Sequence, residues 1–235
     1  MNVALDQATQ MKSMPQLQVV SGETMRIAFL NFASGENSPT PQLKDIRVRQ
    51  AVAHAVNAAA IAKNLVSEKS EVVHSVCHPR QFGCYTDVPF YKFDPAKARS
   101  LLAEAGYPNG FSTEIFSFRE RPWTEAVIND LSKVGIKASL RYMQYAASRQ
   151  ALRSGEAKIA DQPWGSFGIP DASAFTSYFF NGGPDDINRD PEIIAWLQKA
   201  DSSMDPEVRK ENYKKALIRI AEQSYWVPLF TYTLV

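Results

Sequence analysis

From Phe111 onward the sequence alternates strand-like and helix-like runs at a spacing that few architectures accept. The runs are strand Phe111–Phe118, helix Trp123–Val134, strand Ile136–Met143, helix Ala146–Ser154, strand Lys158–Trp164 and helix Ala172–Phe179. Strands separated by helical patterns of roughly 10–15 residues predict parallel pairing through crossover helices. The expected fold class is therefore α/β: a mixed, mostly parallel sheet flanked by helices. Two more helices, Pro191–Ala200 and Pro206–Ser224, each open with Asp-Pro, a side-chain cap followed by a residue whose φ is already helical. An aromatic and β-branched run, Tyr225 to Val235, then reads as a last strand.

Upstream the pattern is less regular. A helical stretch, Val3 to Met14, breaks at Pro15, and two strand-like runs follow, Leu17–Val20 and Met25–Asn31. Ser34 to Pro41 collects turn formers and reads as a loop. Val48, Ala51, Val52, Ala55 and Val56 recur at helical spacing. Asn57 can cap a second helix, Ala58–Val66. Ser67 to Tyr91 has no period and predicts a long surface loop. Asp94-Pro95 starts another helix, which Gly106 stops.

Charge and motif content exclude several functions. With 26 Lys+Arg against 25 Asp+Glu there is no basic surplus, so nucleic acid is not an expected partner. No apolar run approaches the roughly 20 residues of a membrane span. Met1 to Asp6 has neither the basic nor the apolar region of a signal peptide, and the chain stops inside a strand-like run, so it reads as part of a longer protein. Nucleophile elbows, zinc-protease helices, phosphate loops and dinucleotide fingerprints are all missing, so no catalytic residue, metal or cofactor is expected. Two rival readings stand beside a binding protein: a hydrolase of peptides or esters using His78 or Asp171, and an interaction scaffold without a ligand.

Cys77 and Cys84 bracket a loop containing His78, Pro79 and Gly83. A Cys/His/Cys metal site would lack a fourth ligand. Two free thiols are a second reading, and a disulfide suits the pair best in an oxidising compartment. Asp185-Asp186, after Gly-Gly-Pro, reads as a solvated turn. Asp161 and Asp171 flank the stretch that departs most from scaffolding, Gln162-Pro163-Trp164-Gly165-Ser166-Phe167-Gly168. There a Trp and a Phe beside small residues follow a strand, and the carboxyl ends of strands are where open α/β sheets bind ligands. Trp164 and Phe167 are expected as an apolar wall, with Gly165 and Ser166 as donors. Asn31 and Arg119, read as strand-end residues, join the candidate site.

Four landmarks then resemble one family in order. Asp45-Ile46-Arg47-Val48-Arg49-Gln50-Ala51, with Ala55-Val56-Asn57, is similar to a helix of extracytoplasmic solute-binding proteins of the peptide/nickel class. Asp94-Pro95-Ala96-Lys97-Ala98 through Glu104-Ala105-Gly106-Tyr107-Pro108 resembles a second of its motifs. Leu131 to Lys137 resembles a third, and Asp205 to Tyr213 with Pro228-Leu229 a fourth. Such proteins deliver ligands to ABC importers, hold them between two lobes and are about twice this length. The resemblance implies a periplasmic-binding-protein type II fold, with residues 1–235 forming the C-terminal lobe and 1–32 the segment entering from the hinge. It implies no enzymatic activity, a periplasmic or membrane-anchored extracytoplasmic location, a monomer, and two partners: a small or peptide ligand and a membrane permease. Export agrees with a Cys77–Cys84 disulfide. In family members that take free-amine peptides, an Asp three residues after the cleft tryptophan meets the α-amino group. Phe167 stands at that position here, and Asp171, further on, is the ligand-binding candidate in its place or else the cap of the helix that starts at Ala172. The departure points to a modified peptide, an opine-like or sugar compound, or a chelated metal.

Overall fold

The computed structural model describes residues 5–35, 38, 40–119 and 121–234, so the beginning of the helix expected from Val3 and the end of the run reaching Val235 lie outside the described residues. Helix α1 (Leu5–Met11) precedes one long strand, β1 (Gly22–Phe32). Only this strand forms where two were expected. Leu17 and Val20 are exposed, and a four-residue run without a neighbour to pair or pack against has nothing to hold it extended. Helices α2 (Pro41–Lys44), α3 (Ile46–Ala55) and α4 (Ala58–Ile61) follow, the last running into a π-helical turn, Ala62–Val66. After the irregular segment come α5 (Pro95–Glu104), β2 (Phe111–Ser117), α6 (Arg121–Ser132), β3 (Ile136–Tyr142), α7 (Tyr145–Arg153) and β4 (Ile159–Gly165). Helices α8 (Ser173–Phe180), α9 (Pro191–Asp201) and α10 (Pro206–Glu222) lead to β5 (Trp226–Leu234).

The cap signals are used as read. Asp94 accepts from the Lys97 N–H, Asp190 from Glu192 and Asp205 from Glu207, each just ahead of a proline that opens its helix. Asn57 accepts from the Ala60 N–H at 3.0 Å.

The five strands form one sheet in the order β3-β2-β4-β1-β5. β2 pairs in parallel with both β3 and β4, while β1 pairs antiparallel with β4 and β5. Four strands thus point one way and β1 alone runs against them, which keeps the sheet mixed and mostly parallel in strand direction. The outer side of β5 is partly covered: Val73 N–H donates to Leu229 O, and Thr231 N–H to Glu71 O. That removes part of an open edge. Helices α3, α5 and α6 bury Val52, Leu102 and Val127 with Leu30, Ile115 and Ile159 on one face. On the other, α8 to α10 cover Ile27, Phe29 and Trp164, and α7 covers Phe116 and Ala160. The Phe29 and Trp226 rings stack at 3.6 Å in that second core.

One glycine contact sets the approach of two strands. Gly110 (φ +71°) precedes β2, and a Cβ there would fall 1.9 Å from the carbonyl oxygen of Gly135, which precedes β3. Two backbones touch where no side chain fits.

Cys77 and Cys84 are joined as a disulfide within the irregular segment, with Cys77 fully buried. Thiol labelling of the denatured, non-reduced chain is expected to find no free cysteine, and two labels per chain would reject the pairing. Reduction is expected to lower stability by roughly 2–3 kcal/mol, the chain-entropy value for so short a loop.

Candidate ligand-binding groove

A groove of about 630 Å³ opens at the carboxyl edge of β2, β3 and β4. Residues at or just past the ends of those strands line it: Phe118 and Arg119 after β2, Tyr142 and Tyr145 around the end of β3, and Pro163 to Gly165 in β4. Arg26 joins from β1, because β1 runs antiparallel and its residue 26 pairs with Gly165. Its guanidinium lies 5.4 Å from the Tyr232 ring centre, and its Nε would stand 3.3 Å from a Cβ on Gly165. Gly165 is the clearance that lets this arginine lie across the strand.

Trp164 is both wall and core. It lines the groove, yet only 8% of it is exposed. Its indole N–H donates to Ala174 O at 3.1 Å, and its ring stacks on Tyr178 at 4.5 Å. Phe179 meets it edge-on, and the Arg149 guanidinium lies 5.6 Å from its ring centre. Arg149 is itself buried, ion-paired to Asp185 and donating to the Tyr178 hydroxyl at 3.0 Å. Asp185 also takes Arg153. Burial pushes the Asp185 carboxyl up, but the hydrogen bond from Arg153 and the two guanidinium charges outweigh it and hold it below its ordinary value. The solvated turn expected at Asp185-Asp186 is thus corrected. Both residues are buried, and Asp186 accepts backbone N–H groups from Gly182, Asn188 and Arg189.

Phe167 projects from a tight turn closed by the Ile169 N–H on Ser166 O. Phe167 has φ +51° and Gly168 φ +85°, so the first central position is left-handed in a residue with a full side chain. Such a conformation costs on the order of 1 kcal/mol or more. Its ring is 82% exposed, 5.2 Å from that of Trp164, so the strain holds an aromatic face out beside the groove.

Trp164, Gly165, Phe167 and Arg119 line the groove together. Three candidates do not. Ser166 is 1% exposed, and its hydroxyl points into the protein without a partner among the described residues. Asp171 accepts from the Ser173 N–H just ahead of α8 and is ion-paired to Arg209 at 3.0 Å, a structural use that leaves it out of the lining. Asn31 is buried five residues along β1 from Arg26, opposite Ala160, at the far end of the sheet. It was placed by assuming that β1 ends where its neighbours end, and the reversed direction of β1 removes that assumption. His78 is buried, its Nδ1 accepting from the Arg80 N–H.

Arg26, Tyr142 and Tyr145 were missed. The two tyrosines carried a usable signal, since they flank the end of a strand whose neighbours supplied candidates. Arg26 carried none, because strand direction is not written in local pattern.

A second cavity, about 280 Å³ and mostly apolar, lies at the opposite sheet edge between Phe90, Leu217 and Leu229. Lys92 is the one Lys or Arg among its described lining residues, against two arginines in the groove. Among the described residues no cluster of three or more His, Cys, Asp or Glu is placed to hold a metal, and no helix is long and apolar enough to cross a membrane.

The sequence of residues 1–186 matches the family described as "Bacterial extracellular solute-binding proteins, family 5 Middle". The chain belongs to this family. Heme-binding protein A of Haemophilus influenzae is 28% identical over 93% of the chain. The dipeptide-binding protein of Escherichia coli (strain K12) is 26% identical over 91% of it. The chain spans 42% of the length of each of these two relatives. The structure of HbpA2 from Haemophilus parasuis superposes with a TM-score of 0.83 at 28% identity, covering 97% of the chain and 47% of its own. The family 5 fold and the type II layering are thus present, and the landmark motifs sit on α3, α5, the α6–β3 junction and α10.

Proposed function

We propose that this chain is one lobe of the substrate-binding component of an ABC importer, working outside the cytoplasm. It captures a peptide-like or other small solute against a second lobe and delivers it to a membrane permease. In this reading residues 1–235 are the C-terminal lobe, 1–32 enter from the hinge, and the protein acts as a monomer without catalysing a reaction. The groove at the carboxyl edge of the parallel strands carries the reading: Trp164, Phe167, Tyr142 and Tyr145 give it apolar walls, and Arg26 and Arg119 give it few but directed polar groups. That is the make-up of a small-solute site. Pairing of Gly22 with Leu234 supports the hinge assignment, because it sets the first and last strands side by side.

An open groove leaves hydrogen bonds and ion pairs in water, where each contributes little net. The chain alone is therefore expected to bind its solute at least about 100-fold more weakly than the two-lobed protein, roughly 2.7 kcal/mol. Calorimetry on the two forms with a mixed peptide and small-solute library tests this. Equal affinities would place the whole site within this chain, and heat from neither form would reject solute capture.

A further inference from the structure

We propose that the disulfide-closed ring of residues 77–84 is the template that sets the groove's exposed aromatic wall, with Gln81 as the positioning residue. This deepens the solute-binding reading and rests on it. The wall concerned is the turn that carries Phe167. Phe167, Gly168, Ile169 and Pro170 are all exposed, so this stretch buries none of its own side chains to hold it down. Its backbone is held instead by a segment 88 to 90 residues earlier in the chain.

Two residues of the ring take the three consecutive carbonyls that follow the turn. Gln81 Nε2 donates to Ile169 O at 3.2 Å and to Asp171 O at 2.9 Å. Between them the Phe82 N–H donates to Pro170 O at 2.9 Å, and the Phe82 carbonyl accepts the Ala172 N–H at 2.9 Å. Gln81 is 4% exposed, and its Oε1 accepts the His78 N–H at 2.8 Å inside the ring. A glutamine amide has two N–H donors and one carbonyl oxygen, so every group of this buried amide is engaged. One side chain thereby closes the ring's own turn and fastens the groove's turn to it.

The disulfide fixes where Gln81 stands. Residues 77–84 form no helix or strand, but Cys77 is fully buried in the same core as Trp164, and Cys84 packs against that core. From the other side Arg209 of α10 pairs with Asp171 and lies 5.3 Å from the Phe82 ring centre. The turn is thus located relative to Trp164 through the ring and the core, and Phe167 is kept edge-on to the indole at 5.2 Å despite its left-handed backbone. None of the described residues lining the groove belongs to 77–84, so the ring acts on the site from outside it.

The test reads the turn by NMR on the 235-residue chain and needs no solute. The Phe167 ring protons are expected to carry a ring-current shift from Trp164, and hydrogen exchange at the Ile169 and Ala172 amides follows the bonds that close and fasten the turn. Gln81→Glu keeps the acceptor for the His78 N–H and removes both donors, Gln81→Met removes all three groups, and Cys77→Ala with Cys84→Ala opens the ring. Each is expected to move the Phe167 signals toward those of an unstructured phenylalanine and to speed exchange at the two amides about ten-fold or more. Val127→Ala, a cavity in the other core, is the control for lost stability and is expected to leave the Phe167 signals in place. Unchanged Phe167 signals in the Gln81 variants, or the same displacement in Val127→Ala, would overturn the assignment. If the Gln81 variants do not fold, the wild-type chain before and after reduction decides: Phe167 signals that lack the shift while oxidised, or keep it when reduced, overturn it equally. Because no solute is involved, such a failure would leave solute capture standing, and failed capture in calorimetry would leave these readings unchanged.

Discussion

Replacing Asp161 by Asn is expected to flatten the chain's stability between pH 4 and pH 8. Asp161 lies in β4, 1% exposed, between Leu30 and Ser117 on the neighbouring strands. Its carboxyl oxygens complete no hydrogen bond with a described residue. Burial pushes the carboxyl up to about 7, and the hydroxyl of Thr124 and the indole of Trp123, which face it, offset only part of that. Unfolded, the group ionises near 3.8. Between those values the folded chain holds one proton more than the unfolded chain, so stability falls as pH rises, and the full penalty is present above about 7. At about 1.4 kcal/mol per pH unit the ceiling is near 4 kcal/mol. Denaturant titrations of wild type and Asp161→Asn across this range check it. Other carboxylates titrate alike in both proteins, so the difference between the two profiles isolates Asp161. Superimposable profiles would mean that the carboxyl ionises freely in the folded state.

Trp164→Ala is expected to lower stability by about 3–5 kcal/mol, the range for emptying a large aromatic site. For a chain of this size that is a fall in Tm of about 10 °C. The ring's contacts with Tyr178, Phe179 and Arg149 would all go, leaving the buried Arg149 against the Tyr178 and Phe179 rings alone. Trp164→Phe keeps a ring and loses the bond to Ala174 O, so it is expected to lower stability by only about 1 kcal/mol plus some packing. Thermal unfolding of both variants separates the cases. A loss below about 1 kcal/mol for the alanine variant would show the ring to be a groove wall alone.

The elements of this fold were readable because their signals are local. Asp94, Asp190 and Asp205 each mark a helix start that the structure uses, and the strands of the β2–β4 unit lie within one or two residues of their expected bounds. What stayed hidden depends on partners distant in sequence. The direction of β1 is fixed by pairing with β4 and β5, more than 120 residues away, and that direction decides that Arg26 meets the groove while Asn31 does not. Asp171 looked available because its partner Arg209 lies 38 residues on, in a helix read only as scaffold. Asp185 looked solvated for the same reason, with Arg149 and Arg153 arriving from α7. Charged side chains in this chain are assigned by tertiary neighbours, apolar ones by period.

The reversed β1 has one more consequence. Because it opposes β5, its first residue, Gly22, pairs with Leu234. Residues 22 and 234 are therefore a single cross-strand step apart, about 5 Å. A unit with that geometry can be spliced as a cassette into a surface turn of another protein through two short linkers, with no long connection to span its width. Any twist that an occupied groove imposes on Arg26 would reach both splice points along β1 and the strand paired with it, so the host would feel it as torque at one place.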